Sequence, residues 1–134
     1  MLRQGPISAL LHGLVEYLEA ALLIAAPFLF GFDSDAARAV SIVTGVGLIV
    51  VAATTDFPAG LSRTLPAGIH VVLDLVLVGL LIAAPFLFGF SDEGAPTGFF
   101  IVLGVLHLLL TLATRFLPGH ADEGRGRSGL QSPS

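Results

Sequence analysis

An eleven-residue string, LLIAAPFLFGF, stands at Leu22–Phe32 and recurs letter for letter at Leu80–Phe90, an offset of 58 residues. Whatever local structure one copy adopts the other must adopt too, so the fold has to hold the same apolar unit twice. At the same offset, His12 aligns with His70 and Glu16 with Asp74. Beyond the string, one inserted residue makes the offset 59. Val43, Gly45, Val46, Thr55, Phe57 and Gly60 then match Val102, Gly104, Val105, Thr114, Phe116 and Gly119. The chain is a duplication of one unit.

Both copies lie in long stretches without charge. Val40 to Thr55, Leu75 to Ser91 and Gly94 to Thr114 carry none, and Ala20 to Phe32 extends backwards through Tyr17 and Leu14 if Glu19, Glu16 and His12 are tolerated. Of 134 residues, 54% are apolar and only 12% charged, where a water-facing domain carries about a quarter charged. A span of ~20 residues crosses ~30 Å of hydrocarbon, which predicts helices at about 7–30, 39–57, 66–88 and 97–117. Backbone groups in lipid must be satisfied within the segment, and no period-2 alternation suggests a barrel. A cleaved signal peptide is the competing reading of the first segment. His12, Glu16 and Glu19 interrupt its apolar stretch and only Arg3 precedes it, so it reads as a span.

The expectation is therefore an all-α membrane protein, four transmembrane helices arranged as two two-helix repeats. Residues 1–60 form the first unit and 61–118 the second, with a polar, Gly/Ser-rich tail at 119–134 expected to be disordered. Each unit has an even number of spans, so both enter the membrane in the same direction, as parallel repeats about a pseudo-twofold axis along the membrane normal. Arg3, Arg63, Arg115, Arg125 and Arg127 fall on one side, and only Arg38 joins Asp33, Asp35, Asp92 and Glu93 on the other. The positive-inside rule then puts both termini in the cytoplasm.

Several function classes drop out. The net charge is −4 and the chain has no Lys, so no basic patch exists for nucleic acid. The absence of Cys removes disulfides, iron–sulfur clusters and thiolate catalysis. G-x-S-x-G, a phosphate-cradling Gly loop and H-E-x-x-H are all missing, which argues against an enzyme. Ser8 and Ser41 read as helix starts or packing positions, and Thr54, Thr55 and Thr114 as hydroxyls bonded back to their own helices.

The repeated A-P-F-L-F-G-F resembles the signature of the SPW repeat family, small membrane proteins built of two-helix units with Ser-Pro-Trp near the end of the first helix. Here Ala26-Pro27-Phe28 and Ala84-Pro85-Phe86 stand at that position. The resemblance covers roughly residues 10–57 and 68–117 and implies a bacterial inner-membrane protein of paired spans, with no particular chemistry. Physically, Pro27 and Pro85 each remove one helical hydrogen bond, predicting a kink, and Gly31 and Gly89 offer a helix end. Such a kink could open a gate or simply bend a packed helix end. The Phe side chains at 28, 30, 32 and 86, 88, 90 are expected at the outer interface. Gly45, Gly47 and Gly104 read as small-residue helix contacts.

The ionisable residues inside the spans are the candidate site. His12, Glu16 and Glu19 share one helical face, His70 and Asp74 repeat its i, i+4 pair, and His107 lies midway along the fourth span with Thr111 one turn on. Each costs on the order of 2.5–3.5 kcal/mol in the bilayer, so they must face inward and find partners. Three readings follow. They could staple the bundle, with Arg63 or Arg115 reaching in and His12 and His70 partly wet. They could pass protons in a small transporter or channel, although the outer half offers nothing ionisable. They could ligate zinc, iron or manganese through two His, two carboxylates and His107. Bis-histidine haem fits poorly, since counting depth along the spans separates His107 from His12 and His70 by ~10 Å. The leading expectation is a structural or accessory protein with no cofactor, its partners being the bilayer and either copies of itself or a larger membrane complex.

Overall fold

The computed structural model describes residues 5–115. The expected tail at 119–134, and Arg3, Arg125 and Arg127, lie outside the described residues. Four helices carry the chain: α1 (Ala9–Leu29), α2 (Asp35–Thr54), α3 (Ala67–Leu87) and α4 (Gly94–Ala113), each of 20 or 21 residues and each long and apolar enough to cross a membrane. At 1.5 Å per residue they are ~30 Å long. Two short parallel segments, β1 (Ile7–Ser8) and β2 (Thr114–Arg115), join the start of α1 to the end of α4.

Local signals account for the helix ends. Ser8 and Ser34 cap α1 and α2, their hydroxyls accepting from Leu11 N and Ala37 N at 3.2 Å. The Ser34 cap starts α2 at Asp35 rather than near 39, so Asp35 and Arg38 lie within the helix. Likewise α4 begins at Gly94 and holds Pro96 in its first turn, where a missing N–H costs nothing. The repeated motif is a helix stop. Phe32 N donates to Pro27 O at 3.0 Å and Phe90 N to Pro85 O at 2.9 Å, with Gly31 and Gly89 at φ +59° and +73°, a Schellman closure at both copies. Phe32 and Phe90 therefore fold back into the core, while Phe28, Phe30, Phe86 and Phe88 stay exposed.

Helix α1 continues through Pro27 to Leu29. Because Pro27 has no N–H, the carbonyl of Leu23 loses its helical donor, and the Ser41 hydroxyl of α2 supplies one at 2.5 Å. In the second copy Phe100 occupies the position of Ser41 and is fully buried.

α1 packs along α2 and α3 along α4, whereas α1–α4 and α2–α3 approach at few positions. Glycine sets the close approaches. A Cβ on Gly45 would sit 2.8 Å from Ala20 O, and one on Gly104 would sit 2.8 Å from Ile82 Cγ1. Gly47 meets nothing within 4 Å and lines an open α2–α3 cleft instead, so it is not a helix contact.

Burial runs opposite to that of a water-soluble bundle. Leu18, Phe28, Val43, Val76 and Leu106 are exposed on the outside, and His12, Glu16, Glu19, His70, Asp74 and His107 are buried inside. That distribution suits a lipid surround. An apolar core of Leu23, Ala26, Leu48, Leu81, Ala84 and Phe100 fills the half nearer Gly31 and Gly89. At that end Glu93 joins the two units, accepting from Asp33 N at 2.5 Å and Ser34 N at 2.9 Å.

Candidate functional site

Every ionisable residue singled out in the spans meets at one buried centre in the half nearer Ser8 and Thr55. His12 and Glu16 come from α1 and His70 and Asp74 from α3, each pair one turn apart on its own helix. The two imidazoles and two carboxylates alternate around a ring. His12 Nε2 is 3.3 Å from Glu16 Oε1 and 3.3 Å from Asp74 Oδ2. His70 Nε2 is 3.0 Å from the same Glu16 Oε1 and 3.2 Å from Asp74 Oδ1. Each His therefore touches the acid of its own helix and the acid of the other.

The outer nitrogens are held in the same way at both copies. His70 Nδ1 lies 2.8 Å from Thr55 Oγ1, and His12 Nδ1 lies 2.8 Å from Thr114 Oγ1. Each hydroxyl spends its only hydrogen on its own helix, Thr55 on Val51 O and Thr114 on Leu110 O, both at 2.6 Å. The Thr oxygens must then accept, so both imidazoles donate from Nδ1 and turn Nε2 toward the carboxylates. The pairing crosses between the units, since the His of each bonds the Thr of the other.

One further pair breaks the duplication. His107 Nδ1 is 2.8 Å from Glu19 Oε2, and its Nε2 approaches Asp74 Oδ1 at 3.4 Å. Thr111 Oγ1 donates to Asp74 Oδ2 at 3.1 Å. At the matching positions of the other unit stand Leu77 for Glu19, Leu48 for His107 and Ala52 for Thr111. The extra pair borders a cleft of about 550 Å³ between α1 and α4. The α2–α3 counterpart, of about 280 Å³, is lined by Leu48 and Leu77 at those positions and also by Asp74.

The centre is dry. His12 and His70 are fully buried rather than partly wet, because the segment after α2 closes over them. The ring of Phe57 sits 5.3 Å from that of His70, and Tyr17 OH donates to Ala59 O at 3.0 Å. Gly13 leaves room for this closure, since a Cβ there would collide with Phe57 and Ala59. Arg63 stays exposed and does not reach in, and the Arg115 side chain lies outside the described residues.

Depth counting along the helices exaggerated one separation. The rings of His12 and His107 are 6.2 Å apart, because α4 ends at Ala113, four residues short of the expected 117. Asp74 lies against both imidazoles, at 3.3 and 3.4 Å, which leaves no slot for a macrocycle. Thr55 and Thr114 bond back to their helices as expected, and their second role, orienting His, went unread. Their match in the duplication was the available signal.

A search of curated proteins and one of solved structures each returned no match. A family model describing the SPW repeat domain matches residues 10–114, taking in both units and the whole buried centre. The chain belongs to the SPW repeat family.

Proposed function

We propose that this protein is a non-enzymatic structural or accessory component of a bacterial inner membrane, and that its buried centre clamps two helical hairpins together. The supporting observation is the crossed pairing, in which His70 meets Glu16 at 3.0 Å and His12 meets Asp74 at 3.3 Å. In lipid, apolar surfaces supply no net drive for helices to associate, so polar bonds and close packing hold a bundle. The hairpins pack tightly within themselves and sparsely against each other, and the polar centre adds buried contacts to the joins made by the β1–β2 pairing and by Glu93.

On this reading the hairpins enter in the same direction, related by a pseudo-twofold axis, with both termini in the cytoplasm. The matched hydrogen bonds of His12 and His70 agree with such an axis. The exposed Arg63 between the units agrees with the orientation.

Proton passage has less support. Beyond the centre the core is Leu23, Ala26, Leu81, Ala84 and Phe100, all fully buried, and among the described residues no ionisable group lies in it to continue a relay.

The test pairs stability with permeability. Asp74→Ala removes the carboxylate shared by His12, His70 and His107 in a buried centre and should cost about 3–5 kcal/mol of stability in detergent. Wild-type protein in liposomes should carry no proton flux above that of empty liposomes. An Asp74→Ala protein as stable as wild type would overturn the clamp. A wild-type flux that Asp74→Asn abolishes would replace it with a transporter.

A further inference from the structure

We infer that the centre is a binding site for one divalent transition-metal ion of the zinc type, held by His12 Nε2, His70 Nε2, Glu16 Oε1 and Asp74. This deepens the clamp reading and rests on it, since the ion would be what the two hairpins grip.

The donors already converge. One ligand atom from each of the four residues lies within 4.8 Å of every other, and all four residues are buried. The imidazole-to-carboxylate separations are 3.0, 3.2, 3.3 and 3.3 Å. Bonds of about 2.0 Å to nitrogen and oxygen give a tetrahedral ion ligand–ligand edges of about 3.3 Å. Four of the six edges are therefore of tetrahedral length, counting either Asp74 oxygen, and the other two, imidazole to imidazole and carboxylate to carboxylate, are within 4.8 Å.

The protonation pattern points the same way. With each Nδ1–H donated to a Thr hydroxyl, Nε2 of a neutral imidazole presents a lone pair. Two lone pairs and two carboxylates then converge on one buried volume, an all-acceptor arrangement that needs positive charge at its middle, whether protons on Nε2 or one metal ion. A divalent ion cancels the two carboxylate charges, which an apolar surround favours. Ligating imidazoles almost always give their other N–H to a fixed acceptor, as both do here. Asp74 is steadied by Thr111 at 3.1 Å and approached by His107 at 3.4 Å. A separate observation concerns Glu16, which is fully buried, yet its second oxygen Oε2 has no hydrogen-bond partner among the described residues. That oxygen is a spare ligand atom on a carboxylate already turned between the imidazoles. Two nitrogen and two oxygen donors suit zinc, with iron(II) and manganese(II) as competitors for the same set.

The experiment uses the full chain in detergent, stripped with a chelator and titrated with zinc chloride. Metal content is read by mass spectrometry and unfolding temperature is read alongside. Wild type should take up about one zinc per chain and unfold at a higher temperature with zinc than with chelator. His70→Gln and Glu16→Gln should lose the stoichiometric zinc. Thr55→Val and His107→Gln, which only position ligands, should still bind it with affinity about 10–100-fold weaker. A wild type that takes up none of zinc, iron(II) or manganese(II), with an unfolding temperature indifferent to metal and chelator, would overturn the inference. So would zinc retained by both ligand variants. If those variants fail to fold, the wild-type titration alone decides. The clamp is judged separately, by Asp74→Ala against wild type with chelator present in both, so a failure of the clamp and a failure of the metal site give different results.

Discussion

At the scale of single residues, most of the chemistry of the centre rests on two hydroxyls. Thr55 and Thr114 each donate to a helix carbonyl and accept from a histidine, which leaves His70 and His12 one choice of tautomer. Replacing either Thr by Val keeps the shape and removes the acceptor, stranding a buried ring N–H at a cost of about 1–3 kcal/mol. Nitrogen-15 NMR of the imidazoles should show Nδ1 protonated in the wild-type protein and a mixture of tautomers for His70 in Thr55→Val. A His70 spectrum unchanged by that substitution would contradict the assignment. Glu16, Asp74 and the three histidines could be picked out from sequence because an ionisable group in an apolar span is costly and must have a use. The threonines could not, since Thr in a membrane helix has an adequate partner in its own backbone. Distance along the chain, 102 residues, hid the bond between His12 and Thr114, whereas His70 and Thr55 are 15 residues apart on either side of the turn that joins the units.

Among the helices, glycine position separates packing from open space. Gly45 lets α1 approach α2 at Ala20 and Leu23, while Gly47, half a turn away, faces the α2–α3 cleft. Gly45→Ala should therefore destabilise the bundle by about 1–3 kcal/mol, as overpacked sites do. Gly47→Ala should leave it unchanged or slightly more stable, because Ala favours helix and meets no neighbour. Thermal unfolding of the two variants in one detergent checks the contrast, and equal losses would refute it. The four spans were legible because nothing but a helix satisfies 20 apolar residues in lipid. Their ends were less so. The start of α2 depended on Ser34 capping a turn that contains Asp35 and Arg38, charges that read as loop. The burial of His12 and His70 depended on Phe57 and Ala59 folding back over Gly13, a long-range event with no periodic signal in sequence.

For the whole molecule, duplication supplies most of the architecture and its breaks supply the individuality. The two copies of LLIAAPFLFGF end their helices by the same backbone bonds, and the two His–acid pairs meet in one ring. Where the copies differ, Glu19 and His107 stand as a pair against Leu77 and Leu48, so a polar addition in one cleft is matched by an apolar pair in the other. Sequence comparison of the units revealed the equivalence of His12 with His70, but not that each would bond across to the other unit. The central claim is that the hairpins are joined through those crossed contacts, and a double-mutant cycle on Glu16 and His70 tests it most directly. Unfolding free energies of wild type, Glu16→Gln, His70→Gln and the double variant should reveal a coupling of about 0.5–3 kcal/mol, since the residues touch at 3.0 Å. Losses that add to within about 0.3–0.5 kcal/mol would mean the two helices do not meet there, and the account would fail.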